Sequence, residues 1–223
     1  MRVSTESPER MKMIDLGVSR SMKKLITFGL LLFLLGSGVL WAAVKSPQDV
    51  IQDTSAQMLD ALRKNRETLR QDSSQIYDLV DQIVLPNFDF ELMSRWVLGR
   101  NWQQATPEQR RRFSNEFRTL LVRTYAKALL EYSDSEIRVL PQATTADNGE
   151  ATVKTEARVR TGSPIPINYS MHLNNDGWKV YDVTVDGISL VTNYRGTFAS
   201  QIRNSGLDTV IADLQQRNAQ VHR

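Results

Sequence analysis

Hydrophobic positions along this chain change period three times, and the changes mark its organisation. Residues 25–44 are an apolar run with no charged side chain. From residue 46 to 131 apolar positions recur every three or four residues, the period of helices with one buried face. From 136 to 185 they alternate, the period of strands with one buried face. From 188 the helical period returns. A helical block, a sheet and closing helices are therefore expected.

Within the helical block, Ser46 stands before Pro47 and Asp49 as a cap with Pro in the first turn. Ile51, Thr54, Met58, Ala61, Leu62 and Leu69 follow at helical spacing and predict one helix through Leu69. A second helix starts at Asp72-Ser73, carries Ile76, Leu79, Val80 and Ile83, and ends at Pro86. A third opens at Asn87-Phe88-Asp89, holds Phe90, Met93, Trp96 and Val97 and is closed by Gly99. Thr106-Pro107-Glu108-Gln109 reads as a capping box opening the longest helix, 107–131, with Phe113, Phe117, Leu121 and Tyr125 on its inner face.

Four strands are expected, at 136–140, 151–161, 165–173 and 178–185, joined by short Asn/Gly/Pro turns and hence antiparallel. Alternation places Ala151, Val153, Ala157 and Val159 on one face, together with Ile167, Tyr169 and Met171. On the last strand it groups Tyr181, Val183 and Val185, with Trp178 and Val180 opposite. Asp186-Gly187 then breaks the strand. Asp186 is expected to cap a helix starting at Ile188, and Asp182 to face solvent. Helices at 188–203 and 207–216 close the chain. The expected class is α+β, with the N-terminal helical block and C-terminal helices on one face of a twisted antiparallel sheet of about four strands. Such a curved sheet encloses an apolar cavity that helices need not fill.

The apolar run at 25–44 changes what counts as the folded protein. Met22-Lys23-Lys24 precedes it, and Ala42-Ala43 supplies small residues at its end. This is the pattern of a secretory signal peptide cleaved after Ala42, with Met22 as the natural start. An uncleaved membrane anchor is the alternative, because the run is just long enough to span a bilayer. Residues 1–43 are thus expected to be an extension and signal peptide, and 44–223 a single domain. Residues 1–43 hold six of the 28 Lys/Arg and three of the 25 Asp/Glu, so the remainder is balanced at 22 of each. A neutral domain argues against nucleic acid as partner, since phosphate binding needs a basic surplus. There is no cysteine, so the exported chain is expected to fold on its core alone.

Catalytic signals are sparse. Metal sites need clustered His, Cys or carboxylates, and this chain has two histidines, His172 on a polar strand face and His222 near the end. No metal and no cofactor is expected, and no phosphate-binding or dinucleotide Gly motif is present. Asp182 and Asp186 leave one enzymatic alternative open, an isomerase-like cone-shaped pocket using either as base. A cavity-free adaptor of a transport complex is the other alternative. Arg110-Arg111-Arg112 fans around a helix and makes no single anion site.

Several blocks together resemble a known family. Val185-Asp186-Gly187-Ile188-Ser189-Leu190-Val191 with Asn193-Tyr194-Arg195, after Trp178 to Asp182, is similar to the C-terminal signature of the MlaC family. Ile83 to Pro86 leading into Phe88-Asp89-Phe90 and Val97-Leu98-Gly99 agrees, as do Trp102 and Ala105 to Arg110 leading into Phe113 and Phe117. The resemblance spans about residues 46–217. It implies a soluble periplasmic carrier that holds glycerophospholipid acyl chains in a cavity, with the headgroup near solvent. It implies shuttling between an outer-membrane lipoprotein–porin complex and an inner-membrane ABC transporter with an MCE-domain ring, which maintains outer-membrane lipid asymmetry. The expected lipid-binding residues are Met93, Trp96, Phe117, Leu121, Tyr125, Ala151, Val153, Ala157, Val159, Ile167, Tyr169, Met171, Tyr181, Val183, Val185 and Ile188. Gly99 and Gly187 are the expected hinges.

Overall fold

The computed structural model describes residues 44–131, 133–141, 144–145, 148–158 and 162–220, all within the unit Val44–Arg223. The expected signal peptide and Val159 lie outside the described residues.

Helix α1 spans Pro47–Lys64, and its Ser46 cap accepts from the Asp49 N–H at 3.1 Å. It does not continue to Leu69. Asn65 leaves helical geometry (φ −100°, ψ 11°), and its side-chain amide donates to the Ala61 carbonyl at 2.8 Å. The chain restarts as α2, Arg66–Gln71, which buries Leu69. The second expected helix is broken too. A tight turn at Ser73–Gln75 leads into α3, Ile76–Leu79, then a wide π-type turn at Val80–Val84 and a tight one at Leu85–Asn87. The ladder changes register just ahead of Pro86, which has no N–H to continue it.

Helix α4, Phe90–Leu98, is capped by Asp89, which accepts from the Leu92 N–H at 2.8 Å. Gly99 ends it at φ 54°, a conformation costly for any residue with a Cβ. A short α5, Arg100–Gln104, follows directly; the apolar spacing did not predict it. In α6, Pro107–Glu131, the capping box is reciprocal. The Gln109 N–H donates to Thr106 Oγ1 at 3.2 Å, and the Thr106 N–H donates to Gln109 Oε1 at 2.9 Å.

The sheet contains β1 (Glu136–Val139), β2 (Thr144–Thr145), β3 (Glu150–Arg158), β4 (Ile165–Asn174), β5 (Gly177–Val185) and β6 (Ile188–Ser189). The order is β1-β3-β4-β5-β6, with β2 also paired to β3 and every pairing antiparallel. Two short strands, β2 and β6, were not expected from the alternation. Helices α7 (Leu190–Ser205) and α8 (Leu207–Gln220) close the fold.

Two expectations about the last strand are corrected. Strict alternation separated Val180 from Val183, but Met171 faces Val180 while Ser170 faces Asp182, so Tyr181 is an extra residue in a β-bulge. The bulge returns Trp178, Val180, Val183 and Val185 to one face. It sends Tyr181 to the other, where its ring meets His172 at 6.0 Å. The cap assignment also moves. Asp186 sits at φ 49° beside Gly187 at φ 81°, as the two-residue turn between β5 and β6. Ser189 caps α7 through the Thr192 N–H at 3.0 Å. Asp182 fixes that cap, accepting from the Ser189 hydroxyl at 2.6 Å and the Val191 N–H at 3.0 Å. The expected helix start at Ile188 is thus strand β6.

Three apolar clusters form the core. One is helical, with Met93, Val97, Trp102, Phe113, Phe117, Val191, Phe198 and Ile211 among its members. Phe113, Phe117 and Phe198 meet edge-on and stacked at centroid distances of 5.1 to 5.9 Å, arrangements that add to their burial. A second belongs to the sheet: Ala151, Val153, Met171, Trp178 and Val180, covered by Ile51 of α1. The third joins Met58 and Leu62 of α1 to Ala126 of α6 through Leu69, Ile76 and Val80.

Candidate functional site

Cross-strand partners share a face. Val153, Tyr169 and Val183 are in register across three strands, as are Ala151, Met171 and Val180, and Thr155, Ile167 and Val185. Burial varies across this face. Ala151, Met171 and Val180 are buried, Tyr169 and Val183 half-buried, Val185 is 37% exposed and its partner Ile188 63%. The apolar face is therefore uncovered at the β5–β6 hairpin, while on β3 Val153, Thr155 and Ala157 stay buried.

Leu121 and Tyr125 stand on α6 and Tyr194 on α7. Leu121 belongs to the helical cluster, and Tyr194 packs on it. Among the described residues none of α6 belongs to the sheet cluster, and Phe88 packs against both. The sheet face and the helical surface thus belong to separate apolar clusters.

Two tyrosines stand out on these surfaces. Burial pushes the Tyr169 phenol up to about 12, against the lowering effect of the neighbouring Thr155 hydroxyl. Burial and the hydrogen-bonded Tyr194 push the Tyr125 phenol up to about 12 as well. Both remain neutral donors at any ordinary pH.

The structure brings Ala151, Val153, Ala157, Ile167, Tyr169, Met171, Val183, Val185 and Ile188 onto the one sheet face. Met93 and Phe117 lie inside the helical cluster, while Trp96 is 48% exposed on α4. Tyr181 packs against the helical cluster, away from the sheet's apolar face. Of the expected hinges, Gly187 lies in the β5–β6 turn. Gly99 joins α4 to α5 under the Arg195 guanidinium, which lies 3.2 Å from where a Cβ would stand. Sequence reasoning missed Tyr194 as a wall residue. Its place in the stripe Val191, Tyr194, Phe198 was visible, but nothing local showed that its hydroxyl would meet Tyr125.

Neither aspartate of the enzymatic alternative faces the apolar side of the sheet. Asp182 pairs with Ser170 on the opposite face and is engaged by Ser189 and Val191, and Asp186 is exposed in its turn. Among the described residues no group of three His, Cys, Asp or Glu could hold a metal ion. His172 Nε2 lies 2.9 Å from Asp89 Oδ2, tying the start of α4 to the polar face of the sheet. Among the described residues no helix is long and apolar enough to cross a membrane. Two grooves lie elsewhere. One of about 250 Å³ runs along α1 by Asp53, Thr54 and Asn87, and one of about 430 Å³ lies between Trp102, Arg110 and Arg118. Neither is lined by a sheet residue.

Comparison with known proteins gives the chain its relatives. The chain is 31% identical over 188 residues to the toluene tolerance protein ttg2D of Pseudomonas putida, covering 84% of this chain and 87% of that one. It is 26% identical over 199 residues to the intermembrane phospholipid transport system binding protein MlaC of Haemophilus influenzae, covering 88% and 92%. A solved phospholipid-binding protein from Ralstonia solanacearum, in complex with a phospholipid, superposes with a TM-score of 0.73 at 29% identity, over 80% of this chain and all of that one. The family model described as MlaC protein matches residues 52–216, nearly the whole of the folded unit with its sheet, its α6 wall and its closing helices, and the chain belongs to the MlaC family.

Proposed function

We propose that this chain is a phospholipid carrier that takes acyl chains between the apolar face of its sheet and the α6–α7 wall. The observation that carries this reading is that these two apolar surfaces belong to separate core clusters, and that the sheet face carries exposed Val185 and Ile188 at the β5–β6 hairpin. An ordinary core merges such surfaces, because packing them together gains about 25 cal/mol per Å². The phospholipid-bound Ralstonia solanacearum protein supports the same reading.

The energetics explain why a carrier is needed. Each buried methylene is worth about 0.8 kcal/mol. Two chains of roughly 16 carbons left in water would cost on the order of 25 kcal/mol, which forbids free transfer across an aqueous gap. A slot walled by Ala151, Val153, Ala157 and Val183 offers small, smooth side chains suited to flexible chains. Exchange with a membrane requires the slot's affinity to stay close to that of the bilayer.

The wider setting belongs to the same proposal. Residues 22–42 act as a signal peptide, and the folded unit works in the periplasm. It exchanges glycerophospholipid with an outer-membrane lipoprotein–porin complex and an inner-membrane MCE-domain ABC transporter. The test is organic extraction and lipid mass spectrometry of the protein purified from the periplasm. Near-stoichiometric glycerophospholipid is expected, and protein free of lipid would overturn the reading.

A further inference from the structure

The run Arg110-Arg111-Arg112 fans around α6, and the structure divides the three. Residues advance about 100° each along a helix, so Arg110, Arg111, Ser114 and Arg118 share one side of α6 and Arg112 does not. Those four line the groove of about 430 Å³, together with Trp102 and Phe90. Three guanidiniums and one carboxylate, that of Glu91, border it. Arg111 and Arg118 pair with Glu108 and Asp81, which stand outside the lining, at 2.7 and 3.0 Å; these four side chains are 44% to 64% exposed. Arg110 differs. It is half-buried, its guanidinium lies 5.3 Å over the Trp102 ring, and its Nε donates to the Trp102 carbonyl at 2.9 Å. Among the described residues no carboxylate pairs with it. The Ser114 hydroxyl is buried without a hydrogen-bond partner among the described residues.

We propose that this groove docks an acidic segment of a partner protein, whose carboxylates bond the guanidiniums and whose apolar side chain lies against Trp102 and Phe90. A planar guanidinium binds a carboxylate through two parallel hydrogen bonds. Arg110 is already held by an indole and a carbonyl, so little rotamer freedom is lost when it binds. Exposed pairs such as Arg111–Glu108 and Arg118–Asp81 contribute little, so their arginines change partners at small cost. The Ser114 hydroxyl gains the acceptor it lacks. A protein segment fits better than a lipid surface. A groove bordered by α4, α5 and α6 admits an extended chain and not a flat bilayer. The folded unit is also balanced in charge, so no net attraction draws it to an anionic membrane. The inference does not rest on the carrier reading, since no sheet residue lines the groove.

The test places the photo-reactive residue benzoylphenylalanine at Asn115, an exposed residue of the groove, in the full chain within its own cells. Irradiation is expected to give an adduct with a protein, and mass spectrometry to locate it on a peptide rich in Asp and Glu. The double variant Arg111→Gln, Arg118→Gln is expected to lower the adduct yield about tenfold, the order expected on losing charge-assisted hydrogen bonds. Arg112→Gln removes the same charge from the same helix but off the groove, and is expected to leave the yield unchanged. Circular dichroism and the thermal midpoint confirm that the double variant is folded; if it is not, the two single variants are compared in the same way, each expected to lower the yield. An adduct confined to phospholipid, a cross-linked peptide without carboxylates, or no adduct at all overturns the docking site. So does a yield that the groove variants leave intact, or that Arg112→Gln lowers as much as they do.

Discussion

At the residue scale, the two aspartates show how close neighbours acquire different work. Asp182 ties the last long strand to the start of α7 through Ser189 and the Val191 N–H, whereas Asp186 only forms a turn. Asp182→Ala is expected to cost about 1–2 kcal/mol in urea unfolding, since it removes one partner of a cap. Asp186→Asn is expected to stay within about 0.5 kcal/mol, because Asn tolerates the same left-handed conformation. The reverse order would return the cap to Asp186. The tyrosines make a prediction about pH. An ordinary phenol titrates near 10, whereas folding holds Tyr125 and Tyr169 up to about 12. Between these values the folded state binds more protons than the unfolded one, so this contribution is complete below pH 10 and is lost as pH rises toward 12. The thermal midpoint should fall across that window, and Tyr169→Phe should flatten the fall. An equally steep fall in Tyr169→Phe would remove Tyr169 from the account. Side-chain identity alone suggested Asp186 as the cap, because Asp before an apolar helical pattern is a preferred one. What it could not show was that a two-residue turn and a short strand would intervene.

At the element scale, the helices with strong end signals were legible and those ended by local competition were not. Ser46-Pro47, Asp89 and the Thr106–Gln109 box each start a helix where expected, because their hydrogen bonds are made within three residues. Asn65 carries no such strong signal, yet it divides α1 from α2 by bonding back to Ala61. The bulge at Tyr181 was hidden for a different reason. Alternation fixes faces only while the register holds, and the register here shifts between Ser170 and Met171. Gly99 matters at this scale because it lets α4 turn into α5 with Arg195 lying over it. Gly99→Ala places a Cβ 3.2 Å from the Arg195 guanidinium at φ 54°. It is expected to cost about 1–3 kcal/mol in chemical denaturation, most of it backbone strain. Adding Arg195→Ala should recover only the smaller, steric part. Full recovery in the double variant would show that the guanidinium contact, not the backbone, requires glycine.

At the scale of the whole molecule, the order of elements was readable because each period change carries its own physics. The α+β class followed from helical spacing, then alternation, then helical spacing again. The candidate site was readable on its sheet side for the same reason, with Val153, Tyr169 and Val183 meeting across three strands. Its helical side was not. Spacing shows that Met93, Phe117 and Tyr125 are all on apolar faces of helices. It does not show that the first two turn into a helical core while Tyr125 reaches Tyr194. That division rests on long-range packing between α4, α6 and α7. Acyl chains are proposed to lie between the sheet face and helices α6 and α7. Photo-crosslinking with a phospholipid carrying a diazirine at its chain end, followed by peptide mass spectrometry, tests this directly. Label on β3, β4 and β5 around Val153, Tyr169 and Val183 and on α6 around Leu121 is predicted, whereas label confined to the outer surface around Trp96 and the Trp102–Arg118 groove would contradict it.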